Sequence, residues 1–86
     1  MKLIWSSISW DDYLYCQNTD KKILKRINAL IKSGMPTPYE GIGKPEALKG
    51  DSQGYWPRRI TSEHRLVYKY ENESLMIAAC RYPYRK

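Results

Sequence analysis

The hydrophobic pattern of this sequence changes its period once, and that change limits the folds that the chain can adopt. In the first half, four aliphatic residues recur at helical spacing and form one apolar stripe: Ile23, Ile27, Leu30 and Ile31. Beyond a loop at residues 33–45, which holds three glycines and three prolines, apolar and polar residues alternate instead. A helical first half followed by a β-rich second half favours an α+β fold, with the helices on one face of a sheet.

Two helices are predicted in the first half. The first covers residues 8–17 and has apolar side chains on more than one face: Ile8, Trp10, Leu14 and either Tyr13 or Tyr15. The second follows Thr19 and Asp20, whose short side chains suit a helix N-terminus, and it ends at Gly34. Its remaining face carries five basic residues, which we interpret as a solvated face: Lys21, Lys22, Lys25, Arg26 and Lys32.

Five strands are predicted around these helices. The first lies at 2–6, and the others follow the loop at 45–49, 55–60, 64–70 and 74–80. A chain of 86 residues has room for one core, so we expect a single domain over residues 1–86. The expected order is β-α-α-β-β-β(-β), an α+β fold with two N-terminal helices packed on one face of a mainly antiparallel twisted sheet.

The composition favours a polyanionic partner. Fifteen Lys/Arg against nine Asp/Glu give a net charge of +6, which suits nucleic acid or an acidic protein. Charge alone does not separate this from a protein that is merely basic and soluble. Eight tyrosines and three tryptophans beside no phenylalanine supply aromatic groups with a polar tip, which can stack on bases at a wet surface.

The composition also argues against several other classes of protein. No apolar run is long enough to span a bilayer, and the N-terminus does not resemble a signal peptide, so we expect a cytoplasmic protein with no membrane association. Cys16 and Cys80 are far apart in the sequence, and His64 is the only histidine. A zinc site is therefore not expected, and the two cysteines are interpreted as buried thiols.

Charged residues concentrate in the hairpin predicted for YWPRRITSEHRLVYKY. If Leu66 and Tyr68 face the helices, odd-numbered positions face outward, and a three-residue loop places Arg59 opposite Arg65 with Glu63 beside them. Like charges directly opposite each other on a sheet are destabilising. Either Glu63 neutralises this pair, or a phosphate does so, because two planar guanidinium groups match phosphate oxygens.

A candidate proton acceptor precedes the same hairpin. Glu46 and Lys49 lie in GKPEALKG. One carboxylate that can take a proton, near guanidinium groups that can hold a phosphate, is the minimum for cleaving RNA through its own 2′-hydroxyl. His64 has the parity of the core face, so it is expected to point toward the helices or lie at the strand edge, away from Arg59 and Arg65.

Six segments, in sequence order, resemble the YoeB branch of the RelE-like toxins: MKLIWS, SWDDYLYCQ, DKKILKRINALIK, GKPEALKG, RRITSEHRLVY and LMIAACRY. The resemblance implies the toxin of a type II toxin–antitoxin system. Such a toxin is an endoribonuclease, or mRNA interferase, that enters the A site of the 70S ribosome and cuts the mRNA there, which inhibits translation. The family uses no metal or other cofactor. A YefM-type antitoxin is the implied partner, and a homodimer is a further expectation.

The resemblance also implies roles for individual residues. Glu46 matches the family's general base, which takes the proton of the 2′-hydroxyl. Arg65 matches the arginine that stabilises the pentacoordinate phosphorane. Lys49, Arg59 and Glu63 match supporting residues that hold phosphate or orient the other groups.

The C-terminal motif departs from the family's pattern at one position. The family has Arg-Tyr-His-Tyr, whose histidine protonates the leaving 5′-oxygen, whereas this chain has Arg81-Tyr82-Pro83-Tyr84. Tyr84 matches the tyrosine that positions the RNA, and Arg81 is expected to bind RNA or phosphate. Pro83 has no proton to donate, so we expect impaired cleavage with RNA binding retained. A non-catalytic module that binds RNA, the ribosome or the antitoxin through the same fold is the alternative.

Overall fold

Two helices and four strands make up the described part of the chain, which in this computed structural model is residues 2–35, 37–43 and 54–81. In chain order they are β1 (Lys2–Trp5), α1 (Ser7–Thr19), α2 (Lys21–Gly34), β2 (Trp56–Arg59), β3 (Arg65–Glu71) and β4 (Ser74–Ala79). Each lies within two residues of its predicted bounds, whereas the strand predicted at 45–49 falls outside the described residues. Neither α1 nor α2 has the length and apolar character needed to cross a bilayer.

The four strands form one sheet in the order β1-β4-β3-β2. β3 pairs antiparallel with β2 and with β4, whereas β1 pairs parallel to β4. The sheet is therefore mainly antiparallel, as predicted, with one parallel edge strand. Val67, at an odd position between Pro57 and Ala79 in the sheet, is fully buried, so the face that points away from the helices is only partly open.

Short polar side chains set where the two helices begin. Ser6 Oγ accepts a hydrogen bond from the Ser9 amide at 3.0 Å. Asp20 Oδ1 accepts from the amides of Lys22 and Ile23 at 3.0 and 3.2 Å, which confirms the predicted cap of the second helix. Each cap stabilises its helix by about 1 kcal/mol, because it satisfies amides that have no partner within the helix.

The core lies between the helices and one face of the sheet. In α2, Ile27 and Leu30 are fully buried and Ile31 nearly so, which confirms the predicted apolar stripe. These residues pack against side chains from the two central strands: Leu66, Tyr68, Leu75 and Ile77. Complete burial of one aliphatic side chain contributes about 1.5–3 kcal/mol, so this stripe fixes α2 against the sheet.

The first helix packs through an unexpected face. Its buried residues are Ser9 and Cys16, whereas Ile8 is 68% exposed. Ser9 Oγ donates to the Ile77 carbonyl at 2.7 Å, so a small hydrogen-bonded side chain allows α1 to lie close to β4. The expectation that Ile8 offers an apolar face for packing is wrong, because α1 turns Ser9 and Cys16 toward the core and leaves Ile8 in solvent.

Both cysteines are free and buried, as predicted. Burial raises the pKa of the Cys80 thiol from 9.0 to about 12, and it also raises the pKa of the Cys16 thiol. The Cys80 thiol lies against α1, where its Sγ is 3.5 Å from the Ser9 carbonyl. Both thiols therefore stay protonated at neutral pH.

We expect Cys80 in the folded chain to resist alkylation. The thiolate is the reactive form, and folding moves its pKa from 9.0 to about 12, so very little thiolate exists near neutral pH. At about pH 8, iodoacetamide should label Cys80 at least about a hundredfold more slowly in buffer than in urea. Peptide mass spectrometry measures both rates, and equal rates in the two conditions would show that the thiol is accessible.

Candidate nucleic-acid interface

Two arginines lie side by side on the outer face of the β2–β3 hairpin, the sheet face that points away from the helices. Backbone pairing sets Arg59 opposite Arg65, as predicted. Their buried neighbours Ile60 and Leu66 take the helix-facing side, because successive side chains in a strand alternate between faces. Arg59 is exposed and Arg65 is half-buried. Two positive charges in this arrangement repel each other unless an anion lies beside them.

The hairpin turn orients the Arg65 side chain. Arg65 Nη1 donates to the carbonyls of Thr61 and His64 at 2.6 and 3.0 Å. Thr61 Oγ1 in turn accepts from the amides of Glu63 and His64 at 3.1 and 2.9 Å, which stabilises the turn. These bonds use only Nη1, so Nε and Nη2 of Arg65 make no hydrogen bond within the described residues and can donate to a bound anion.

Within the described residues, no carboxylate neutralises the arginine pair. Glu63 is exposed and forms no ion pair with Arg59 or Arg65, whereas Lys69 and Glu71 do form one at 3.0 Å. The interpretation in which Glu63 balances the two arginines therefore lacks the contact that it requires. This difference favours the interpretation in which the pair binds an anion.

A third arginine reaches the hairpin from α2. Arg26 is half-buried, and its Nη2 donates to the Arg59 carbonyl at 3.2 Å. The predicted solvated face of α2 is confirmed for four exposed lysines: Lys21, Lys22, Lys25 and Lys32. It is wrong for Arg26, because helical spacing does not show which side chain of a basic face will reach a neighbouring element.

A groove of about 400 Å³ lies between the hairpin turn and the two helices. It is lined by Tyr15, Cys16, Thr19, Asp20, Ile23, Glu63, His64 and Arg81. His64 thus faces the helices rather than the arginine pair, as its parity predicted. Glu63 and Arg81 share this groove, whereas Arg59 and Arg65 do not line it.

Residues of α1 determine the charge environment of Arg81. Its guanidinium carbon lies 3.6 Å from the centre of the Tyr15 ring, a cation–π contact. Burial raises the pKa of the nearby Asp12 carboxyl above 3.8, and the Cys80 amide and Arg81 partly oppose that rise. A phosphate approaching Arg81 would therefore meet an acidic neighbour, which makes the Arg59–Arg65 pair the better anion site.

Sequence reasoning missed a buried arginine on the helix-facing side of β2. Arg58 is 0% exposed, and its guanidinium makes five hydrogen bonds. The acceptors are Tyr68 Oη, Ser33 Oγ and the carbonyls of Thr37, Glu40 and Ile42. Arginine is almost never fully buried unless its donors are paired. An arginine at an even, core-facing position of the predicted strand was the signal that could have identified it.

Four of the predicted site residues lie outside the described part of the chain: Glu46, Lys49, Pro83 and Tyr84. Their roles stay predictions. The chain enters the segment that carries Glu46 and Lys49 from a position beside β2, because the Gly43 carbonyl accepts a hydrogen bond from the Arg59 amide at 2.8 Å. The geometry of the predicted site is therefore defined for Arg59, Glu63, Arg65 and Arg81.

The sequence and structure are similar to those of several bacterial toxins. Toxin YoeB of Escherichia coli K12 is 66% identical over 84 residues, which cover 98% of this chain and 100% of that protein. A YoeB/ParE toxin from Agrobacterium tumefaciens superposes with a TM-score of 0.94 at 50% identity, covering 98% of this chain and 100% of that one.

Two structures from Staphylococcus aureus have the same fold, and they confirm the α+β fold predicted here. A YoeB–YefM complex gives a TM-score of 0.90 at 45% identity, and a YoeB dimer gives 0.90 at 46%, with 98% of each chain covered in both cases. Residues 5–84 match the family model described as YoeB-like toxin of bacterial type II toxin-antitoxin system. The chain belongs to this family of YoeB-like toxins.

Proposed function

We propose that this chain is a ribosome-dependent endoribonuclease that cuts mRNA in the ribosomal A site and so inhibits translation in the cytoplasm. One observation carries the proposal. Arg59 and Arg65 lie opposite each other on an outer sheet face, and no carboxylate among the described residues pairs with them. Membership of a toxin family and a net charge of +6 support an RNA substrate.

In the proposed reaction, the 2′-hydroxyl of one nucleotide attacks the adjacent phosphorus and displaces the 5′-oxygen of the next nucleotide. The products are a 2′,3′-cyclic phosphate and a 5′-hydroxyl end, so no water is consumed. Arg65 stabilises the negative charge that develops on the phosphorane, and Arg59 holds the phosphate. The Thr61 and His64 carbonyls orient Arg65 before RNA arrives, which reduces the reorganisation required during the reaction.

The proton transfers are proposed on the basis of family resemblance. Glu46 takes the proton of the 2′-hydroxyl, Lys49 supports the phosphate, and Tyr84 positions the RNA. The leaving 5′-oxygen must gain a proton, but Pro83 has none to give. Tyr84, a lysine or water must supply it less efficiently, so cleavage by this chain is slow.

Charge-neutralising variants test the role of the arginine pair. We compare Arg59→Gln and Arg65→Gln with Lys32→Gln, which removes one exposed charge from the solvated face of α2. All three variants also carry Pro83→His, so that slow proton donation does not mask their effect on the cleavage rate. Single-turnover cleavage on ribosomes carrying a defined mRNA should fall at least about tenfold for both arginine variants and stay unchanged for Lys32→Gln.

Thermal melts ensure that every variant is compared in its folded form. Cleavage by Arg59→Gln and Arg65→Gln at the rate of Lys32→Gln would show that the arginine pair is not the phosphate site. If no form cuts mRNA but all bind ribosomes, the chain is instead a non-catalytic binding module.

We also propose that this chain binds a YefM-type antitoxin and forms a homodimer. The Staphylococcus aureus relative has been solved as a YoeB–YefM complex and as a YoeB dimer. A net charge of +6 favours a partner segment with acidic side chains, and the exposed arginine of the pair offers them a contact.

The association rate constant of such an antitoxin is expected to fall as the salt concentration rises. Salt screens the attraction between exposed charges, so stopped-flow rates should drop at least about tenfold between about 50 and 500 mM NaCl. The dissociation rate should change much less, because it depends mainly on short-range contacts. An association rate that is constant over this range would rule out electrostatic steering.

A further inference from the structure

We propose that Arg58 and Tyr68 are positioning residues for the RNA-cleaving site, because together they hold the loop at residues 37–43 against β2 and β3. The inference rests on the proposed function, since the segment that follows this loop in the sequence carries the candidate general base Glu46. Neither side chain can touch RNA itself, because both are 0% exposed.

The two side chains bind four carbonyl groups of one short loop. The Arg58 guanidinium donates to the carbonyls of Thr37, Glu40 and Ile42 at 2.6, 2.7 and 2.9 Å. The Tyr68 hydroxyl donates to the Pro38 carbonyl and accepts from Arg58 Nε at 2.9 Å. Arg58 lies in β2 and Tyr68 in β3, so this Arg58–Tyr68 clamp joins the loop to two strands of the sheet.

Because the clamp is buried, it restricts the loop at residues 37–43 to one conformation. A buried guanidinium requires a partner for every N–H group, and here the loop carbonyls are three of its five acceptors. Movement of the loop away from the sheet would leave a buried cation with unsatisfied donors, which is strongly unfavourable. The loop is therefore held in one arrangement as long as the cation stays buried.

The last described residue of the loop is fixed beside the arginine pair. The Gly43 carbonyl accepts from the Arg59 amide at 2.8 Å. Gly43 has φ +85°, and a Cβ there would lie 2.8 Å from Leu30 Cδ2 and 2.9 Å from Arg58 Cβ, so the backbone passes between them with no room for a side chain. The loop therefore ends beside Arg59, at the point from which the chain continues into the segment that carries Glu46.

The test measures cleavage and ribosome affinity separately, with Pro83→His as the reference chain. Two variants weaken the clamp: Arg58→Lys and Tyr68→Phe. Tyr68→Phe removes the bond to the Pro38 carbonyl and the acceptor of Arg58 Nε but keeps the buried ring, so it provides the test if Arg58→Lys fails to fold. Both variants should lower the single-turnover rate at saturation by at least about tenfold and leave ribosome affinity unchanged. Ile77→Val, a core truncation outside the loop contacts, controls for general destabilisation and should keep the reference rate.

Hydrogen exchange of the Arg59 amide provides a readout that does not depend on activity. This amide should lose part of its protection in Tyr68→Phe, because the loop that carries its acceptor on Gly43 is held by fewer bonds, but not in Ile77→Val. A folded Tyr68→Phe chain that cuts at the reference rate would overturn the inference, as would a loss of rate equal to that of Ile77→Val.

The same measurements separate the inference from the proposed function. If the Pro83→His chain itself does not cut mRNA, the proposed function fails, and the clamp is then not part of a cleavage site. Unchanged protection of the Arg59 amide in Tyr68→Phe would overturn the clamp itself, whatever the cleavage rate.

Discussion

Replacement of Arg58 by methionine is expected to lower the free energy of unfolding by at least about 3 kcal/mol, because it removes all five hydrogen bonds of a fully buried guanidinium. The acceptors are Tyr68 Oη, Ser33 Oγ and the carbonyls of Thr37, Glu40 and Ile42. A chain of 86 residues has a total stability of about 4–13 kcal/mol, so this is a large fraction. Urea denaturation followed by circular dichroism measures the change.

The neighbouring residue provides a matched control. Arg59→Met makes the same chemical change one position along, but the Arg59 side chain is exposed. Its effect should stay within about 0.5 kcal/mol, as is usual for surface substitutions. Similar losses for the two variants would show that the Arg58 hydrogen bonds do not stabilise the fold.

The main elements of this fold could be predicted because each has a local signal. The stripe that contains Ile27 and Leu30 identified α2, Asp20 identified its start, and alternation identified the hairpin strands. α1 was harder, because it packs through Ser9 and Cys16 rather than through an apolar stripe. Which face of α1 is buried depends on how closely the helix approaches β4, and this is a tertiary property that local periodicity does not encode.

The candidate site could be predicted only where strand parity determined it. Parity and loop length placed Arg59 opposite Arg65, and the structure has this pairing. Parity also put Arg58 on the core face, but the contact of Arg26 with the hairpin and the acceptors that allow Arg58 to be buried could not be predicted in the same way. Both depend on backbone carbonyls supplied by segments distant in sequence, which no single strand or helix pattern contains.

The second large effect is expected at position 83. Pro83→His should raise the single-turnover cleavage rate at least about tenfold, because general acid catalysis typically supplies about 10²–10⁴-fold. Affinity for the ribosome–mRNA complex should change little, since phosphate contacts and base stacking do not use this residue. Quench-flow cleavage and equilibrium binding on the same ribosomes measure the two quantities.

Pro83→Gln controls for a change in backbone geometry. Glutamine restores the amide proton and relaxes the preceding residue, as histidine does, but it supplies no acid. Its rate should therefore stay near that of the chain with Pro83. If glutamine accelerates cleavage as much as histidine, the proline limits the reaction through the position of Tyr84 rather than through a missing proton donor.

Mapping of mRNA ends with and without ribosomes tests the proposed function most directly. Both the chain with Pro83 and its Pro83→His form are incubated with a defined mRNA, and the cut sites are located by primer extension. The proposed function predicts 5′-hydroxyl fragments that begin within or next to the A-site codon, only when ribosomes are present, and faster with Pro83→His. If neither form cuts while both bind ribosomes, the proposal of an endoribonuclease is wrong.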